Sequence, residues 1–101
     1  MSDSRQIEVD ELREALDRVL DGVEAKFGPT VDLAADSYWT LDPRTAFDPH
    51  ADQTSGMNIA QLSDDVQEVR ESLGRADETV IWHDLAHLVG VLSRIAALDL
   101  P

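Results

Sequence analysis

The chain has 101 residues, no cysteine, and 21 acidic against 8 basic residues, for a formal net charge of −13. Without cysteine there are no disulfides, zinc thiolates or thiol nucleophiles. The charge argues against nucleic acid and anionic membrane as direct partners, since both are held by basic patches. A chain of this length has room for a single domain, residues 1–101, with a modest core, and its 43% apolar content suits a folded chain.

The start, "MSDSRQIEVDE", is polar and acidic, lacking the basic start and apolar run of a signal peptide. No apolar stretch is long enough to cross a bilayer. The expected setting is cytoplasmic. From about residue 4 to 27, Leu12, Leu16, Val19, Val23 and Phe27 recur at steps of four, three, four and four, which predicts an amphipathic helix. Asp3 or Ser4 is placed to cap it, and Gly28-Pro29 ends it.

Residues 29–60 read as an insert. "TVDLAADSYWTLD" suits either a short strand or a turn of helix over 32–37, and a lone strand would need a partner in this chain or another. Two Asp-Pro steps and Gly56 mark Asp42–Gly56 as a surface loop, long enough to suggest a functional role. A helix is expected over 63–73, with Ser63 as N-cap, Asp64 and Asp65 in the first turn, a stripe of Leu62, Val66, Val69 and Leu73, and Gly74 as the stop.

The last helix is expected over 78–98, opened by Asp77 or Glu78. Ile81, Leu85, Leu88, Leu92 and Ile95 form its packing seam. Val80, Trp82, Ala86, Val89, Val91 and Ala96 spread apolar character around it, as in a helix that is central or covered by another subunit. The expected fold is mostly α: three helices with an irregular or short-strand insert between the first and second. The first helix is long for a compact domain of this size, and a homodimer would accommodate it.

Three groups of residues are candidates for chemistry or recognition. His83 and His87, at i and i+4 in "HDLAH", suit the chelation of one metal, zinc above all. His50 is the third histidine and the candidate third ligand. The metalloprotease pattern would place Glu where Asp84 stands, and Arg94 shares the face with His83, His87 and Gly90. The plainer reading makes both histidines surface or packing residues. Asp64-Asp65 suits a helix cap better than a cation site, and its spacing is not that of an EF-hand. Of the adjacent pair Tyr38-Trp39, one side chain should face the core and one the solvent. Either Trp39 fills the core beside Trp82, or the pair anchors a partner. Tyr38, Trp39, Phe47 and Asp48 are the candidate partner-binding residues. No G-x-S-x-G, P-loop or dinucleotide fingerprint occurs.

At "ADSYWTLDPRTAFDP", "QLSDDVQEVRESL" and "WHDLAHLVGVLSRIAALDLP" the chain resembles a group of small acidic uncharacterised bacterial proteins, mostly actinobacterial. The resemblance implies a lineage and a cytoplasmic setting and transfers no catalytic residue. Small immunity-type proteins share its size, acidity and Tyr-Trp content. The expected function is that of a non-catalytic, acidic protein-binding module, regulatory or immunity-like, with a protein partner that a basic surface would suit. The alternatives are a small metal-dependent hydrolase on His83 and His87, and an obligate subunit covered by a copy of itself.

Overall fold

The computed structural model describes residues 4–52 and 56–101, with residue 76 described by its backbone alone. The chain divides into two units, Met1–Asp32 and Leu33–Pro101. The first unit contains helix α1, Val9–Phe27. It starts later than the apolar periodicity suggests. Glu8 is the N-cap, and a reciprocal capping box links it to Glu11, whose Oε1 accepts the Glu8 N–H at 3.2 Å. Of the two residues expected to cap it, Ser4 stands in a turn ahead of the helix, and Asp3 lies outside the described residues. Gly28 ends the helix at φ 87°, a positive value that glycine adopts freely, with its N–H bonded to Glu24 O at 2.8 Å.

The second unit is mostly helical with a small sheet. Strand β1, Ser37–Leu41, leads through the one-turn helix α2, Pro43–Ala46, to strand β2, Met57–Gln61. Helix α3, Leu62–Leu73, follows directly; a 3-10 turn at Ala76–Glu78 then leads to helix α4, Ile81–Asp99. The strands pair antiparallel, Trp39 opposite Ile59 and Leu41 opposite Met57. The partner that β1 requires therefore lies within the chain. The long loop is organised by Asp42, which caps α2 through Arg44 N–H and donates its own N–H to Gly56 O at 3.0 Å. Gly56 sits at φ 79°, and a Cβ there would lie 2.7 Å from Thr45 Oγ1.

Helix α3 is capped from a distance. Asp36 accepts Leu62 N–H with its carbonyl at 2.8 Å and Ser63 N–H with its carboxylate at 2.9 Å. The expected cap, Ser63, is instead the donor, and Gln61 holds the N-cap position. The Ser63 backbone and side chain hold the Asp36 carboxyl below its ordinary range. Among the described residues, Leu62, at the start of α3, is the fully buried apolar side chain.

Helix α4 departs from the expected orientation over its first half. Of the expected seam, Ile81, Leu85 and Leu88 are exposed whereas Leu92 and Ile95 are half-buried; Trp82 is 75% exposed. The covered face carries polar contacts beside half-buried Val91, Leu92 and Ile95: His87 reaches Asp65 on α3, Gly90 is buried, and Arg94 Nε donates to Leu33 O at 2.8 Å. Apolar character on nearly every face of α4 leaves its orientation to the polar contacts, which must be satisfied once buried. Among the described residues, no helix is long and apolar enough to cross a membrane.

Candidate functional site

Asp65 is the pivot of the second unit. It is 3% exposed and lies on the ridge Leu62–Asp65–Val69 of α3. Its Oδ2 accepts the Tyr38 hydroxyl at 2.5 Å, and its Oδ1 lies 2.7 Å from His87 Nδ1. One carboxylate thus ties β1, α3 and α4 together. Of the first-turn pair expected to serve the helix start, Asp64 is exposed, whereas Asp65 is buried and bonded to Tyr38 and His87. Burial, the hydrogen bond to Asp65 and the charge of that carboxylate push the Tyr38 hydroxyl up to about 12. The folded state therefore favours the protonated hydroxyl. This contribution to stability is full below pH 10, the ordinary value, and is lost as pH rises through about 12.

Two further groups extend the polar layer toward solvent. His83 Nδ1 lies 3.1 Å from Asp84 Oδ1, and its Nε2 lies 3.7 Å from Glu68 Oε2 on α3. The hydrogen bond from His83 holds the Asp84 carboxyl below its usual range despite opposing desolvation. Arg75 Nη2 stands 3.7 Å from Asp84 and 3.9 Å from Glu68. The His83 and His87 rings meet edge to face, centroids 4.7 Å apart. One ligand atom each from Glu68, His83 and His87 lies within 4.8 Å of the others, and among the described residues this is the group of three suited to a metal ion.

The remaining candidates are distributed as follows. His50 is exposed after α2, its N–H bonded to the Asp48 carboxylate at 3.0 Å, and it is not part of the Glu68 group. Arg94, expected on the same face as the histidines, donates its Nε–H to the Leu33 carbonyl. Tyr38 faces inward and is half-buried, whereas Trp39 is 68% exposed, so Trp39 does not fill the core beside Trp82. Phe47 and Asp48 are exposed. Glu68 was not singled out by the sequence, because nothing in "DDVQEVRES" distinguishes it from Glu71. The available signal was its position three residues after Asp65, on the same helix face.

No protein family, curated protein or solved structure matches this chain.

Proposed function

We propose that this chain is a small, acidic, non-catalytic cytoplasmic module that docks a basic protein partner through the outer face of its hairpin. The observation that carries this reading is the cross-strand pair Trp39–Ile59, whose side chains are 68% and 63% exposed. The adjacent pair Leu41–Met57 is exposed as well, so the apolar face is continuous along both strands. Contiguous apolar surface with an aromatic at its centre is the usual anchor of a protein interface.

Charge selects the partner. Asp36 and Asp42 bracket β1, and the whole chain carries −13. A basic surface approaching this rim is steered electrostatically, and like-charged competitors are repelled. The cavity bounded by Tyr38, Leu62, Gly90 and Arg94 is about 190 Å³. That is smaller than the roughly 300–1,000 Å³ of ordinary small-molecule sites. A second reading, the metal-dependent hydrolase, is favoured by the convergence of His83, His87 and Glu68.

The test uses the intact chain as immobilised bait beside Trp39→Ser and Ile59→Ser variants. The wild type is expected to retain a discrete polypeptide that both variants lose. With that polypeptide purified, association should slow several-fold between about 0.01 and 0.15 M salt, as the screening length falls from roughly 30 to 8 Å. Equal capture by all three chains, or a salt-independent association rate, overturns the reading. Capture of further copies of this chain alone would replace the basic partner with a homodimer.

A further inference from the structure

We infer that Glu68, His83 and His87 form a binding site for a divalent transition-metal ion, zinc foremost, which joins α3 to α4. The argument starts from the donor atoms. A carboxylate accepts hydrogen bonds and cannot donate one, so His83 and His87 each turn a protonated Nδ1 toward an acidic partner, Asp84 and Asp65 respectively. That choice of tautomer leaves the Nε2 lone pair of each ring available to a metal. Metal-binding histidines are oriented in this way, by a carboxylate on the far ring nitrogen. Here both histidines have that support before any ion arrives.

The spacing agrees. With Zn–N and Zn–O distances of about 2.0–2.2 Å, tetrahedral ligand atoms stand roughly 3.3 Å apart. His83 Nε2 and Glu68 Oε2 are already 3.7 Å apart, and the whole group fits within 4.8 Å. Small rotations of side chains that remain partly exposed would close the rest. The electrostatics favour a dication: Glu68, Asp84 and Asp65 face the group, with Arg75 as the nearby cation. Three protein ligands leave the fourth position to water, and the one-third exposure of Glu68 and His83 gives an ion a route in. His50 plays no part. This inference does not depend on the docking reading.

The experiment is calorimetric titration of zinc chloride into the untagged full-length chain after dialysis against chelator. The wild type is expected to bind one zinc per chain. Glu68→Gln and His83→Gln should each weaken binding by more than about tenfold, Asp84→Asn by roughly tenfold, and His50→Gln not at all. Cobalt(II) in place of zinc should give the intense visible absorption of a tetrahedral site. Glu68→Gln preserves side-chain shape, so it reports on ligation even if a histidine variant fails to fold, which circular dichroism would reveal. Absence of saturable binding to the wild type, or binding unchanged in Glu68→Gln and His83→Gln, overturns the inference. So does an equal loss in His50→Gln, which would mark diffuse surface binding.

Discussion

An Asp65→Ala chain is expected to lose about 2–4 kcal/mol of stability in urea unfolding, the upper part of the range for a single hydrogen-bonding side chain. Two opposing effects set this figure. Removing a buried carboxylate relieves its desolvation, which favours the variant. Against that, the Tyr38 hydroxyl and His87 Nδ1 lose their shared acceptor together, and both lie in a part-buried layer that water reaches poorly. Groups left unpaired in this way cost more than the net value of the bonds removed. The same variant should lower the Tyr38 phenol from about 12, because the hydrogen bond and charge of Asp65 are lost, while burial, the largest cause of its shift, remains. Absorbance titration of the phenolate reads this directly. A Tyr38 titration unchanged in the variant would show that the hydroxyl is held by something other than Asp65.

Gly90→Ala provides the second large effect, and its sign is the informative part. In an exposed helix, replacing Gly with Ala stabilises by roughly 0.5–1 kcal/mol. Gly22 in α1 is such a position, since a Cβ there meets nothing within 4 Å. At Gly90 a Cβ would press into the Tyr38 hydroxyl and stand 2.5 Å from Asp65 Oδ2. Neither atom is free to yield: the phenol is rigid and bonded to Asp65, and Asp65 is bonded on its other side to His87. Overpacking of this kind costs roughly 1–3 kcal/mol, so it outweighs the helix-propensity gain. Gly22→Ala should therefore raise the unfolding midpoint and Gly90→Ala should lower it. Stabilisation by both would mean that α4 does not approach β1 and α3 closely at Gly90.

The helices were largely legible in the sequence because their apolar steps and stop signals agree. Helices α3 and α4 lie over the stretches where the periodicity places them, α1 begins at Val9 rather than near residue 4, and Gly28 and Gly74 end α1 and α3. Strand β2 was not legible: "MNIAQ" has one β-branched residue and little alternation, and its register comes from pairing with β1. Over its first half α4 covers its His83–His87 side rather than Ile81, Leu85 and Leu88, for a definite reason. His83, His87, Gly90 and Arg94 recur at steps of four, three and four, the spacing of a packing seam written in polar letters. With apolar residues on most other faces, the rarer feature decided which side is covered. Asp65 was misread because its place in the first turn of α3 already has an explanation in the helix dipole. Its position three residues after buried Leu62 was the stronger signal.

The polar layer also accounts for the outward surface. The polar layer of Tyr38, Asp65 and His87 holds the second unit together from within, which leaves Trp39, Ile59 and their neighbours facing out. The most direct test of the claim that this face is a docking surface is the fluorescence of Trp39 alone. A Trp82→Phe chain keeps Trp39 as its sole indole. By itself, this chain should emit at the red wavelength of water-exposed tryptophan and be open to acrylamide quenching. Addition of the captured basic polypeptide should shift the emission to the blue and shield it from the quencher. A complex that forms while emission and quenching stay unchanged would contradict the claim and place the interface elsewhere on the chain.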